Sequence, residues 1–218
     1  MSVSSPPGVK EAERLIRTAC AGRLLVSEPL ARHTTIKVGG PADLWFEPEN
    51  EAALAAALRA ASETGCPVHV FGGGSNLLVP DRGMQGLTVH LVGPRFERIE
   101  SRGESVVAGA GLALPLFLKF LIENGKGDCE FLAGVPAQIG GAVMMNAGSA
   151  THWIGSHVVS VRAVEFARCR WFHDGGGQRA DSSGVRTPRF SPGFSPENLA
   201  PTTTAVVGSA TVVVMEVP

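Results

Sequence analysis

The segment that most restricts what this chain can become is Phe71–Pro80, FGGGSNLLVP. Three consecutive glycines follow an apolar run, residues 66–71, that reads as a short β-strand. A glycine loses more backbone freedom on folding than any other residue, so a run of three calls for a compensating use. A strand that opens into successive glycines presents several backbone N–H groups in one concavity. Such concavities bind anions, phosphate oxygens above all. Ser75 and Asn76 add side-chain donors. The spacing is neither G-x-G-x-x-G nor G-x-x-x-x-G-K-[ST], so neither the standard dinucleotide fingerprint nor a P-loop is present. On the residues alone two readings stand: a phosphate cradle and a plain tight turn.

Around this loop the pattern alternates between helix and strand. Residues 8–22 carry apolar positions at helical spacing, and Ala42–Phe46 reads as a strand. Residues 51–64 form the clearest helix, with Asn50 as N-cap, Glu51 in the first turn and Gly65 as the stop. GLTVHLVG, FERIES and ESVVAGAG read as strands, LALPLFLKFLIENG as an amphipathic helix ending at Asn124–Gly125, and HVVSVRAVEFA as a further strand. Residues 173–203, rich in Gly, Ser, Pro and Thr, read as loops, and AVVGSATVVVMEV as a strand. The sum is an α+β protein with a smaller N-terminal lobe and a larger sheet-rich lobe.

Two more segments stand out. Leu132–Ser149, LAGVPAQIGGAVMMNAGS, is apolar yet full of glycine and alanine, without a clean period of 2 or 3.6. Its small residues suit either close approach to a flat ligand or a tight packing seam, with Gln138, Asn146 and Ser149 as its polar handles. Thr34–Asp43, TTIKVGGPAD, places two hydroxyls before a Gly-Gly-Pro turn. With 44% hydrophobic and 18% charged residues and a formal net charge of -1, the chain reads as a soluble globular protein, without the basic surface that nucleic acid or an acidic membrane would need. No uninterrupted apolar run is long enough for a membrane span, and no signal-peptide pattern opens the sequence. The four cysteines, Cys20, Cys66, Cys129 and Cys169, lie far apart and read as reduced thiols of a cytoplasmic protein. The histidines fall at no metal-ligand spacing, so no metal is expected.

Taken in order and at these separations, HTTIKVGGPADLWFEP, FGGGSNLLVPDRG and FLAGVPAQIGGAVMMNAG resemble the UDP-N-acetylenolpyruvoylglucosamine reductase (UDP-N-acetylmuramate dehydrogenase) family. The resemblance covers residues 20–165 and weakens beyond. It implies a two-lobed FAD-binding domain of the vanillyl-alcohol-oxidase-like (PCMH-type) class, divided here as residues 1–24, a helical segment, 25–88, the first lobe, and 89–218, the second. It implies a cytoplasmic flavoprotein oxidoreductase of peptidoglycan synthesis, tied through that pathway to cell wall biogenesis, cell shape and cell division. In the family NADPH (the NADP-dependent step) reduces FAD, and hydride then passes to the enolpyruvyl group of a UDP-sugar substrate. Mapped onto this sequence, Gly72, Gly73, Gly74, Ser75 and Asn76 match the loop on the FAD pyrophosphate. Gly134, Val135, Pro136, Gly140, Gly141, Ala142, Asn146 and Gly148 match the segment against the flavin and its diphosphate.

Two departures bear on activity. The family's catalytic arginine follows a tyrosine; here Arg186 follows Val185 in SSGVRTPRF, with Arg189 as the fallback. The family continues into a substrate domain that carries a proton-donating serine and a glutamate, and neither has a counterpart in the sequence to Pro218. The resemblance therefore implies FAD binding with turnover impaired by truncation. The alternatives are a non-catalytic flavin-binding scaffold and an oxidase of the same flavin fold. The latter often tethers its flavin through His or Cys, and none of His69, His90 or Cys129 sits in a motif for one. Oligomeric state is not legible in the sequence.

Overall fold

The computed structural model describes residues 8–149, 151–165, 170–175 and 215–217. Helix α1 (Val9–Ala19) leads into β1 (Gly22–Pro29), a 3-10 turn (Leu30–Arg32), β2 (Pro41–Pro48), α2 (Glu51–Thr64), β3 (Val68–Phe71) and β4 (Met84–His90). These strands form a four-stranded sheet in the order β1-β2-β4-β3. The β1–β2 pair is antiparallel, and β2 and β3 both run parallel to β4. A parallel pairing needs a crossover, and α2 supplies it between β2 and β3. Its ends are those the sequence announces. The Asn50 side chain accepts from the Ala53 N–H at 2.9 Å, and Gly65 closes the helix in the left-handed region at φ +66°.

Central strand β4 has Gly86–Val89 buried, as expected of a strand covered on both faces. Between Ala42 and Leu44 its ladder with β2 slips by one residue. There Gly86 adopts φ +99°, and its N–H donates to the Asp43 carboxylate at 3.1 Å. The bulge needs a glycine, since a side chain would overlap the Pro67 carbonyl.

The chain continues through β5 (Ile99–Arg102), β6 (Ser105–Ala108), α3 (Leu114–Glu123), a 3-10 turn (Glu130–Leu132), the short helix α4 (Ile139–Met144), another 3-10 turn (Ile154–Ser156), β7 (Ser160–Glu165), β8 (Arg170–Gly175) and β9 (Met215–Val217). A second, antiparallel sheet has the order β5-β6-β9-β7-β8. Residues 173–175, expected as loop, end β8, where they pair with residues 160–162. The strand expected over FERIES begins only at Ile99, because Phe96 and Glu97 turn back to donate to the Gly93 carbonyl at 3.0 and 2.9 Å.

One large core joins the sheets. Leu44, Phe46, Leu54, Leu58, Leu87, Phe96, Val106, Leu114, Phe117, Leu132 and Ile139 meet in it. A smaller cluster of Leu30, Ala42, Trp45, Phe71 and Val79 also forms. Among the described residues no helix is long and apolar enough to cross a membrane, and Cys20, Cys66 and Cys129 are free thiols.

Candidate functional site

β3 ends at Phe71, and the chain leaves the sheet through the three glycines, which differ from one another. Gly74 is buried at φ +66°, and a side chain there would overlap the His33 carbonyl oxygen. It is a glycine for the sake of the fold. Gly72 and Gly73 have no positive φ. A Cβ at Gly72 would come no nearer than 3.5 Å to Gln138 Oε1, and one at Gly73 no nearer than 4.0 Å to the Gln138 nitrogen. Protein packing does not demand glycine at these two positions, so their bare backbone leaves an open face beside Gln138. Among the described residues, no backbone N–H from Gly73 to Leu78 donates to a backbone carbonyl. Ser75, Asn76, Leu77 and Leu78 lie exposed along the same stretch, Leu78 by 79%. The chain turns at Ser75–Asn76, and its amides there are not taken up by backbone carbonyls.

Residues 33–40 clasp the loop from one side. Thr35 N–H donates to the Gly74 carbonyl at 3.1 Å, and Gly40 N–H to the Pro80 carbonyl at 3.0 Å. Buried Thr34 fixes the turn by donating its hydroxyl to the Val38 carbonyl at 2.8 Å. A Cβ at Gly39 would stand 2.7 Å from Val79 Cβ, which explains the Gly-Gly pair here as close packing.

The third segment closes the other side, at Gln138. Backbone bonds from Ile139 to Leu112 and from Gly140 to Ala110, at 2.9 and 2.8 Å, hold it on the turn after β6. Gly134 at φ +82° and Gly141 have open space where a side chain would be; Val135 is half-buried and Pro136 exposed. The remaining residues of this set do structural work. Gly140 packs with its Cβ position 3.1 Å from Ala110 Cβ, and Ala142 lies in the core. Asn146, at φ +46°, accepts from the Gly155 N–H at 3.0 Å. Gly148 lies against Trp153, with which it forms a β-bridge. Arg186 and Arg189 lie outside the described residues. The structure thus brings the three glycine-bearing segments to one place, with Gly72, Gly73, Ser75 and Asn76 at its surface.

Behind the loop lies an aromatic and charged cluster that gathers His33, Trp45 and Glu47 of the HTTIKVGGPADLWFEP segment with His90. His33 stacks on Trp45 at 4.2 Å between ring centroids, and His90 lies 4.8 Å from Trp45. Trp45 Nε1 donates to Glu47 at 3.0 Å, His90 Nδ1 lies 3.4 Å from the same carboxylate oxygen, and His33 Nε2 donates to Glu28 at 2.9 Å. Burial pushes the Glu47 carboxyl up, but the bonds from Trp45 and His90 and the charge of Arg23 outweigh it and hold the group below the usual range. Burial also depresses His90, with Glu47 opposing in part. A base depressed in the folded state favours folding when neutral. His90's contribution is therefore complete above its ordinary value of 6.5 and is lost as pH falls through the lower folded value. Thermal unfolding should show wild-type stability declining more steeply than that of His90→Gln between about pH 7 and pH 5. Parallel curves would contradict this assignment.

Three further groups bear on a covalent flavin tether. Burial pushes the Cys129 thiol up to about 11, which leaves it a poor nucleophile. His69 Nε2 donates to the Gln85 carbonyl at 2.9 Å, and His90 faces Glu47.

Comparison with known proteins decides the family. A model described as FAD binding domain matches residues 42–172, more than half of the chain. The chain belongs to the FAD binding domain family. All three segments of the site fall within the match or, for residues 34–41, directly before it. The FAD-binding domain is 40% identical over 151 residues to UDP-N-acetylenolpyruvoylglucosamine reductase of Moorella thermoacetica, covering 69% of this chain and 49% of that one. The chain therefore spans about half the length of the curated relatives it matches. Among solved structures it is similar to UDP-N-acetylenolpyruvylglucosamine reductase from Thermus caldophilus, with TM-score 0.60, 26% identity, and coverage of 91% of this chain and 61% of that one. An alkyldihydroxyacetonephosphate synthase superposes with TM-score 0.62 at 18% identity, covering 99% of this chain and 41% of its own, which speaks to the fold alone. The fold is that of the vanillyl-alcohol-oxidase-like (PCMH-type) flavoenzymes.

Proposed function

We propose that this chain is the FAD-binding part of a UDP-N-acetylenolpyruvoylglucosamine reductase, a cytoplasmic, NADPH-using enzyme of peptidoglycan synthesis. One observation carries the reading: the loop of residues 73–78, which turns at Ser75–Asn76, donates to no backbone carbonyl at hydrogen-bond geometry, at a spot where Gly72 and Gly73 present no side chain. The donor set is neutral and backbone-made, as suits a diphosphate approached at close range. Similarity to reductases at 40% and 45% identity supports the choice of reaction.

In this reading Gly73–Asn76 donate to the FAD pyrophosphate, and the 33–40 clasp and Gln138 keep the loop open. Gly134, Val135, Pro136 and Gly141 form the wall toward the flavin, the open space at Gly134 and Gly141 admitting a flat ring. Bound FAD supplies the two-electron relay between NADPH and the enolpyruvyl double bond. Arg186 is the residue assigned to the substrate carboxylate, where a fixed guanidinium would stabilise developing negative charge.

The test is to titrate FAD into the purified chain and follow the flavin spectrum and fluorescence, then add NADPH under anaerobic conditions with and without the UDP-sugar. Saturable quenching and NADPH-driven bleaching are expected, with reoxidation by the UDP-sugar impaired. Free-flavin behaviour at saturating protein would overturn the cofactor assignment. Quenching without bleaching would keep the cofactor and overturn the reductase assignment in favour of a flavin-binding scaffold.

A further inference from the structure

A cavity of about 510 Å³ opens beside the N-terminal end of α2, lined by Asn50, Glu51, Arg95, Arg98, Arg102 and Arg162. None of these residues belongs to the three glycine-bearing segments. The four arginines come from three places: the turn before β5, β5 itself and β7. Glu51 is the one carboxylate in the lining. It pairs with Arg162 and lies 3.9 Å from Arg98. Arg102 pairs with Glu100 at 2.6 Å, exposed on the rim.

The arrangement is built rather than incidental. Phe96 is fully buried between Arg95 and Arg98, and the Arg98 carbonyl accepts from the Gly109 N–H at 2.9 Å, so the backbone under both arginines is fixed. Arg98 Nε is buried and has no hydrogen-bond partner among the described residues. The rest of the Arg98 side chain is 34% exposed and lines the cavity 3.9 Å from Glu51, so its guanidinium edge can meet a ligand oxygen. The N-terminal end of a 14-residue helix adds its partial positive charge to the same space.

We propose that this cavity is a second anion site, taking a phosphate-bearing small molecule. Guanidinium forks and a helix N-terminus both favour phosphate oxygens. The volume exceeds that of a phosphate group and leaves room for an organic portion. The cluster lines a cavity on a chain of formal net charge -1, which favours a small polyanion over an extended nucleic-acid surface.

The probe is inorganic pyrophosphate, titrated at fixed ionic strength into the chain alone and into the FAD-loaded chain, with backbone amide shifts followed by NMR. Saturable shifts at Ala52, Arg98 and Arg102 are expected, with the same affinity whether or not FAD is present. Arg95→Gln combined with Arg102→Gln, both exposed and safe for folding, should weaken binding about tenfold or more. Glu51→Gln, which removes the competing carboxylate, should tighten it. Shifts confined to Gly72–Asn76, no saturation, or affinity unmoved by the arginine and glutamate changes would overturn the proposal. Failure of FAD to bind would count against the proposed function and leave these readouts intact.

Discussion

Gly73→Asp should abolish practical FAD binding while leaving the fold intact. A Cβ at this position meets nothing closer than 4.0 Å, and its φ is not positive, so the substitution introduces neither clash nor backbone strain. It does place a carboxylate among the donors of residues 73–78. Juxtaposing like charges costs several kcal/mol, so the dissociation constant for FAD should rise about a hundredfold or more. The thermal midpoint without FAD should move by no more than about 2 °C. Gly74→Ala is the contrasting control. Its left-handed backbone and the His33 carbonyl oppose any side chain, and it should lose about 1–3 kcal/mol of stability. If Gly73→Asp binds FAD as wild type does, the cradle is not the diphosphate site.

The largest stability loss should come from Trp45→Ala. Trp45 is fully buried, stacked on His33, edge-on to Phe71 and bonded to Glu47. Truncating such a side chain costs about 3–5 kcal/mol, a drop in midpoint of about 10 °C for a chain this long. The damage should reach the loop, because the His33 that rests on Trp45 presents the carbonyl against which Gly74 packs. FAD affinity should therefore fall as well. Trp45→Phe keeps much of the ring volume and loses the bond to Glu47, so a loss nearer 1 kcal/mol is expected. Equal midpoints for Trp45→Ala and Trp45→Phe in denaturation curves would show that the indole body contributes nothing.

Legibility in the sequence followed the range of the forces at work. Helix α2 was readable to its ends because Asn50 and Gly65 act on their own termini. The strand leading into the glycine loop was readable because residue type and spacing are local properties. β8 was missed at residues 173–175 because glycines and polar residues suggest a loop, and only pairing with β7 makes a strand of them. The short α4 was missed for a related reason: with six residues it has no period to detect, and tethers to Ala110 and Leu112 position it. In the candidate site, the glycines were visible but their separate duties were not. Gly72 and Gly74 look alike as letters; the His33 carbonyl, far away in sequence, makes one a packing device and leaves the other open. The contacts of the His33–Trp45–His90–Glu47 cluster were invisible for the same reason: His33, Trp45 and Glu47 lie within HTTIKVGGPADLWFEP, but only the fold brings them together with His90.

The strand order of the second sheet has a consequence in time. Met215–Val217 lies between β6 and β7, pairing with Val106–Ala108 on one side and Ser160–Val161 on the other. β1 to β4 are contributed by residues 22–90 and can pair among themselves. The second sheet cannot close until residue 217 has been synthesised, so β6 must wait while more than a hundred residues emerge. Closing so long a loop is slow and leaves unpaired strand edges exposed meanwhile. During translation the half of the molecule bearing the glycine loop should thus mature first, with the β6 edge the point most open to mispairing.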